Sequence, residues 1–412
     1  MYTFVPESST CMSRNGDAFS SLPTSVSDTS QLSQLLKTIS QRHALSKSQI
    51  DLLISATQLP NVLDLINKMI SYLHRPLKIP VLSSPGTCEL STDDIGSIIS
   101  HCFFGSFMHT HPSLRELTSN FHMILPLSWL SGDDVLLCKL EGWLSYFTSI
   151  RPRIVSFERT QCCSLPTIPS QFNPITITLI PTGSMFDDTT SDAAMVDFAN
   201  KHIGGGTLRG GMVQEEIMFV EFADLLPSML INSSLKDNEA VIARDVVRNC
   251  KVKGYDRSAR LEKVICTNDK CDVIIVDATN YRRGFSHQYS ENFINRDLMK
   301  LCAGFDTGRT TLITGHWGCG VFHGDKERAF VLQVIVGNLF YYRNINYYAF
   351  GDLEFVKKAS VVSQLIERQL ITPNFLYRAM LMFRKVWKSR LQLSLLEFLF
   401  FIWLLDLDLS KD

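Results

Sequence analysis

VDFANKHIGGGTLRGGMVQEEIMFVEF, Val196 to Phe222, places three consecutive glycines, Gly204, Gly205 and Gly206, seven residues ahead of Gln214-Glu215-Glu216. Glycine reaches backbone angles closed to other residues, and its N–H is bare enough to approach an anion. Gly210 and Gly211 prolong the permissive stretch. A second glycine-rich run, TGHWGCGVFHGD from Thr314 to Asp325, follows the apolar TTLI and opens into a helix-length segment, Asp325 to about Tyr342. Strand, glycine loop and helix N-terminus in that order suit an anion. Neither run has GxGxxG or GxxxxGK[ST] spacing, which disfavours a dinucleotide-binding Rossmann fold and a P-loop NTPase. Each loop alone also fits a plain structural turn.

The paired carboxylates narrow the chemistry. Neighbouring residues on a helix project roughly 100° apart, so Glu215 and Glu216 cannot flank one bond from opposite sides as the two carboxylates of an ordinary glycosidase do. One can move a proton while the other holds sugar hydroxyls. A carboxylic acid beside another carboxylate and a bound diphosphate is expected to have a raised pKa, as a general acid near neutral pH requires. The bland alternative is a solvated Glu-Glu pair. Its position after the glycines and directly before the apolar IMFV argues against that.

Outward from this segment, short β-type runs recur after about Arg151: RIVSF, PITITLI, IMFVEF, DVIIVDA, TTLITG and YYAFG, with helix-length segments between several of them. This alternation predicts an α/β domain over 151–412, a mixed or largely parallel sheet covered on both faces, with ligands at the carboxyl ends of the strands. From Gln31 to about Ile150 the apolar residues recur at three- and four-residue steps, predicting an N-terminal all-helical domain over 31–150. In STDDIGSIISHCFFGSFMH, Ser91 and Asp94 form an approximate capping arrangement. The histidines of this region, His43, His74, His101, His109 and His111, have no carboxylate at a useful spacing and read as packing or surface residues. Residues 1–30 are rich in Ser and Thr and predict a disordered tail.

Composition sets the remaining bounds. Lys and Arg number 40 against 41 Asp and Glu, so no global basic field recruits nucleic acid. The 11 cysteines show no disulfide framework or zinc spacing, which suits a reducing compartment. The N-terminus does not read as a signal peptide. The apolar LQLSLLEFLFFIWLLDLDL, interrupted by Gln392, Ser394, Glu397 and Asp406, is too short for a membrane span and predicts a buried or partner-docking helix. No metal or redox cofactor and no oligomer is called for, and a monomer is expected.

GGG, seven residues and QEE form a combination that resembles the signature of poly(ADP-ribose) glycohydrolases. VDFANKHIGGG is similar to the family's VDFAN…GGG segment and TGHWGCGVFHGD to its TGNWGCGxFGGD loop. KGY at Lys253 to Tyr255, VIIVDA at Val273 to Ala278 and YYAFGD at Tyr347 to Asp352 fall in the family's order, over about Pro174 to Leu376. The helical STDDIGSIISHCFFGSF is similar to part of the family's accessory domain.

The resemblance implies a macrodomain with a helical accessory domain, hydrolysing the ribose–ribose O-glycosidic bonds of poly(ADP-ribose) on modified proteins, in the nucleus or cytoplasm and in the DNA damage response. It casts Glu216 as the acid that protonates the leaving ribose oxygen and then activates water, and Glu215 as the residue that orients the sugars. Asn200, supported by Asp197, positions a ribose. Gly204, Gly205, Gly206, Gly320, Val321 and Phe322 wrap the diphosphate. Phe350 stacks on adenine beside Phe186 and Asp187, Tyr255 closes over the ligand, and Gln214 belongs to the signature. His316 stands where the family usually has Asn, and His323 where it has Gly. Arg209 is brought into the loop between GGG and QEE. The alternative from another class is a macrodomain that binds ADP-ribose without cleaving it, for which the second glutamate is superfluous.

Overall fold

The computed structural model describes residues 22–39, 46–75, 79–104, 134–148, 150–282, 284, 287–387 and 393–405. His43, His109 and His111, most of the tail assigned to residues 1–30, and Gln392 and Asp406 lie outside them. Two compact units are present. The first contains the residues up to Arg159 together with His202–Ser234 and Ala243–Lys270; the second contains Thr160–Lys201, Leu235–Ile242 and Cys271 onward. The division by packing therefore does not fall at residue 150: the GGG-to-QEE segment packs with the N-terminal helices.

In the first unit the helices are α1 (Thr29–Ile39), α2 (Lys47–Ala56), α3 (Val62–Leu73), α4 (Thr92–Phe103), α5 (Asp134–Tyr146), α6 (Gln214–Glu221) and the short α7 (Ser228–Ile231). Among the described residues the N-terminal region is helical apart from β1 (Gly86–Ser91), which pairs antiparallel with β2 (Ile154–Gln161) in the register Gly86↔Arg159 to Ser91↔Ile154. Ser91 and Asp94 form the expected reciprocal cap of α4: the Asp94 amide donates to Ser91 Oγ at 3.1 Å and the Ser91 amide to Asp94 Oδ2 at 3.0 Å. Val26 is already tied down before α1 begins, exchanging two hydrogen bonds with the Asn67 amide side chain at 2.8 and 2.9 Å.

IMFVEF, expected as a strand, lies in helix α6. Its consecutive apolar residues match a buried strand, but every residue from Glu215 to Glu221 is buried, and a helix buried all round carries the same pattern. The Val213 amide, left without a partner in the helix, donates to Glu216 Oε2 at 2.9 Å, which fixes the start. The segment RDVVRNCKVKGYDRSARLE contributes an antiparallel hairpin, β6 (Cys250–Lys253) with β7 (Arg260–Val264), and Tyr255 sits in its turn.

The second unit carries a parallel run of strands in the order β8–β4–β9–β10–β3. These are β3 (Thr176–Ile180), β4 (Ala193–Ala199), β8 (Lys270–Asp277), β9 (Thr311–Gly315) and β10 (Asn344–Tyr348). Strand β5 (Glu239–Val247) contributes its first residues to this unit and its last to the other. Val273, Ile274, Ile275 and Val276 are all fully buried. Since successive strand residues face opposite ways, β8 is covered on both faces. Helices α8 (Glu291–Phe305), α9 (Lys326–Leu339), α10 (Leu353–Glu367), α11 (Pro373–Trp387) and α12 (Leu395–Leu404) supply the flanking layers and share a core with the strands. This is the mixed α/β architecture expected.

Two features hold the parallel strands in place at their ends. Arg309 grips Asp272, at the start of β8, through Nε at 2.9 Å and Nη2 at 2.8 Å. At the other end Asp277 meets Lys300 at 2.5 Å and Arg296 at 3.0 Å, buried charges made tolerable by pairing. Because the strands are parallel, Ala199, Asp277, Gly315, Tyr348 and Ile180 all finish at one edge, and the loops that follow emerge there. The C-terminal helix α12 buries Leu395, Leu396, Phe398, Leu399 and Ile402 while Phe401 and Leu404 are exposed. Among the described residues no helix is long and apolar enough to cross a membrane.

A Cβ at Gly304 of α8 would lie 2.6 Å from Ile274 Cγ2 and 3.2 Å from the Ala240 Cβ. Gly304→Ala is therefore expected to destabilise the second unit by about 1–3 kcal/mol through overpacking, read from the denaturant midpoint at unchanged slope.

Candidate active site

In the first unit the three glycines do not wait open for an anion. Each of their amides has an acceptor inside the protein: Gly204 N–H donates to Glu215 Oε1 at 2.7 Å, Gly205 N–H to the His202 carbonyl at 3.2 Å, and Gly206 N–H to Glu216 Oε1 at 2.7 Å. Glu216 also receives the Val213 amide, so both of its oxygens are held. The two glutamates are buried, and their carboxylates converge on one loop, side by side.

Glycine is needed here for room as well as angle. Gly204 and Gly205 have φ of 88° and 46°. A Cβ on Gly205 would stand 2.5 Å from Glu215 Oε2 and 2.8 Å from Glu216 Oε1, and one on Gly211 would stand 2.8 Å from Glu216 Oε1. No larger residue leaves these carboxylates where they are. A Cβ on Gly210, by contrast, would have nothing within 4 Å, and this glycine only completes the turn.

Two other groups border the loop. The Asp256 amide donates to the Met212 carbonyl at 2.8 Å, tying the hairpin turn to the segment just before α6. Burial raises the Tyr255 phenol above its ordinary pKa; the Gln214 amide that donates to its oxygen acts the other way, and the Glu216 charge adds to the rise. Tyr255, Gln214 and Glu216 are thus brought together.

Lys139 is the member that sequence reasoning missed. It lies on α5, only 1% exposed, and its ammonium donates to the carbonyls of Gly206, Thr207 and Arg209 at 3.0, 2.8 and 2.6 Å. In the sequence it stands 67 residues from Gly206, in a helix whose other buried residues are mostly apolar, and the available signal was a lysine within that run. The Arg209 side chain itself points to solvent.

The second unit holds the remaining candidates. Asp197 is fully buried near the end of β4, and Asn200 follows that strand at the carboxyl edge. His316, after β9, is not a loose donor. Its Nε2 lies 3.0 Å from the Ala349 carbonyl, which can only accept, so the Nδ1 lone pair takes the Tyr347 hydroxyl at 3.1 Å. Phe355 packs edge-on against the ring at 4.8 Å. Burial, with help from the Lys326 charge, pushes the His316 pKa down to about 4, so the ring is neutral at neutral pH. Its role is to brace the turn after β10. In that turn Phe350 has φ 49° and is 71% exposed. The Gly351 amide pins the same turn to the Pro181 carbonyl at 2.7 Å, joining it to the segment that carries Phe186 and Asp187. Phe186 is buried and Asp187 exposed.

The loop 316–325 keeps its shape without the replaced glycine. His323 adopts φ 56°, the left-handed conformation open to glycine at no cost. Gly318, with φ 73°, has no space for a side chain, since a Cβ would meet the Ala278 Cβ at 2.4 Å. Gly320 and Val321 are exposed, and the Phe322 carbonyl accepts the Tyr281 amide at 2.7 Å. Asp325 caps α9 through the amides of Glu327 and Arg328 at 2.9 and 3.0 Å.

The second unit is thus a parallel-stranded α/β unit with its candidate residues on the carboxyl-edge loops, and in the first a glycine loop clamps adjacent glutamates. Residues 167–357 match the family model described as poly (ADP-ribose) glycohydrolase (PARG), macro domain fold. The matched segment is a little under half of the chain. The chain is 26% identical over 226 residues to poly(ADP-ribose) glycohydrolase 2 of Caenorhabditis elegans, covering 48% of this chain and 46% of that protein. It is 24% identical over 357 residues to the probable poly(ADP-ribose) glycohydrolase 2 of Arabidopsis thaliana, covering 71% and 68%. The chain thus spans about half the length of the nematode relative or less, with 36% coverage for the nematode glycohydrolase 1. The glycohydrolase of Deinococcus radiodurans in complex with ADP-ribose aligns at 15% identity over 47% of this chain and 84% of that one, with a TM-score of 0.28, which carries no weight for the fold.

Two measurements check this geometry. Gly205→Ala should cost on the order of 1–2 kcal/mol or more from the left-handed backbone alone, whereas Gly210→Ala should change stability by less than about 0.5 kcal/mol; equal losses would contradict the clamp. The folded form binds the His316 proton less readily than the unfolded chain. The stability this confers is complete above the ordinary histidine pKa of 6.5 and is lost as pH falls toward about 4. His316→Asn should remove that component, flattening the pH dependence of unfolding in this window by up to about 1.4 kcal/mol per pH unit.

Proposed function

We propose that this chain hydrolyses the ribose–ribose O-glycosidic bonds of poly(ADP-ribose) and releases ADP-ribose, with Glu216 as the acid/base residue and Glu215 as the sugar-orienting one. The observation that carries the reading is the clamp of both carboxylates by the glycine loop, which fixes two adjacent carboxyl groups in a buried, preorganised setting. The family match over residues 167–357 supports the substrate class.

In the proposed reaction Glu216 gives a proton to the bridging ribose oxygen as the C–O bond breaks. The electron pair leaves with that oxygen and an oxocarbenium-like centre develops. The resulting Glu216 carboxylate takes a proton from water as the water oxygen bonds to the anomeric carbon, which returns the enzyme to its starting state. Each carboxyl oxygen of Glu216 accepts one amide and retains a second lone-pair position, so the backbone contacts do not block the proton's place. Glu215 accepts hydrogen bonds from ribose hydroxyls on its remaining positions. In the second unit, the exposed Phe350 ring suits an adenine face, and the loop that runs into the N-terminus of α9 suits a phosphate.

A second reading, a macrodomain that binds ADP-ribose without cleaving it, is tested by the same experiment. Purified protein is incubated with poly(ADP-ribosyl)ated protein, and free ADP-ribose is followed beside polymer binding. Wild type should release ADP-ribose, and Glu216→Gln should lose roughly 10²-fold or more of that rate while still binding polymer. Polymer binding by the wild type without release would favour the reader, and an undiminished rate in the variant would remove Glu216 from its role. Release should be unchanged by a chelator; its loss would point to a metal-dependent mechanism.

A further inference from the structure

Helix α5 is fastened to α6 at several points by groups unrelated to Lys139. The Asn249 side chain donates to the Gly142 carbonyl at 2.7 Å and to Ser145 Oγ at 2.8 Å, while its oxygen accepts the Ala223 amide at 2.8 Å, just beyond α6. Trp143 Nε1 donates to the Phe219 carbonyl at 3.3 Å. Gly142 leaves no space between the helices, since a Cβ there would stand 2.3 Å from Val220 Cγ1. Below this junction Arg248 and Glu221 pair at 2.6 Å, both buried, and the Val252 amide closes on Glu221 Oε1 at 2.6 Å. The two helices are therefore set in register whatever residue occupies position 139.

One turn before Gly142 on α5, the Lys139 ammonium stands under the glycine loop with its three N–H groups on three loop carbonyls. An ammonium has three donors and no acceptor, so this arrangement uses all of them. Gly206 is the pivot. Its carbonyl accepts from Lys139 at 3.0 Å and its amide donates to Glu216 Oε1 at 2.7 Å. The Arg209 amide also returns to the Gly206 carbonyl at 2.8 Å, so the loop is closed on itself around the cation. The Thr207 amide donates to the Gly204 carbonyl at 2.8 Å, so the residues held on the cation are joined to the glycines held on the glutamates.

We propose that Lys139 is a positioning residue for the hydrolysis: acting through Gly206, it fixes the place of the Glu216 carboxylate. This rests on the reading of Glu216 as the acid/base residue. Binding of the polymer at other contacts does not depend on it, so its removal acts on the chemical step. A misplacement of the acid of order 1 Å is enough to cost roughly 10²-fold.

The test uses the full chain and poly(ADP-ribosyl)ated protein. Lys139→Met keeps the length of the side chain and removes the charge and donors; Lys139→Gln keeps an amide donor and serves where the methionine variant does not fold. The expected result is a fall in kcat of roughly 10- to 100-fold with KM little changed. In the Glu216→Gln background the same substitution should have almost no further effect, because both act through one carboxylate. Hydrogen exchange of the loop amides, including Gly206, should speed up selectively, with α5 and α6 still protected. Unchanged kcat, or losses that multiply in the double variant, would overturn the proposal and leave Lys139 a purely structural residue, as would failure of both variants to fold. If the wild type releases no ADP-ribose the proposed function fails on its own account, and unaltered exchange at the loop amides would then overturn the positioning role separately.

Discussion

The clamp between the glycine loop and the adjacent glutamates is the interaction on which the rest of the site depends. Two carboxylates are brought out of water next to each other, an arrangement that costs free energy unless each oxygen finds a donor. The donors here are backbone amides, Gly204 on Glu215 and Gly206 and Val213 on Glu216. Backbone amides can approach that closely only where no Cβ intervenes, so the glycines follow from the carboxylates. Helix α6 follows as well, since Glu216 in its first turn supplies the acceptor that its N-terminal amide requires.

The clamp in turn demands a support on its other side. The same loop carries the carbonyls of Gly206, Thr207 and Arg209, and carbonyls taken out of water need partners too. Lys139 supplies them from α5, which is why a lysine is buried in that helix. The first unit is thereby not an accessory to the glycine segment; its helices and that segment pack as one body. The second unit solves a different problem, an extended parallel sheet whose charged ends are held by Arg309 on Asp272 and by Lys300 and Arg296 on Asp277. Its carboxyl-edge loops are braced by internal contacts such as that of His316 with Ala349 and Tyr347.

Much of this was legible in the residues, and what was not has definite causes. The α/β alternation, the capped helix after Ser91, the helix after Asp325 and the glycine–glutamate segment could be read because each depends on neighbours in sequence. The amides of Gly204 to Gly206 were expected on a diphosphate; two of the three hold glutamates, a distinction that spacing does not encode. IMFVEF was misread as a strand because burial on all sides erases the helical period. Lys139, 67 residues from its first partner, could not be found from local pattern. His316 was noted only as standing where the family usually has Asn; its ring is engaged by two groups from the β10 segment, 31 and 33 residues away.

The central claim is that the clamped carboxylates meet the reacting ribose without leaving the loop. A crystal structure of this chain with ADP-ribose bound tests it most directly. The account predicts the anomeric hydroxyl of the distal ribose within about 2.6–3.2 Å of a Glu216 oxygen, with the Gly206 and Val213 amides still donating to the same carboxylate. A ribose bound away from Glu216, or a Glu216 carboxylate released from both amides in the complex, would contradict it.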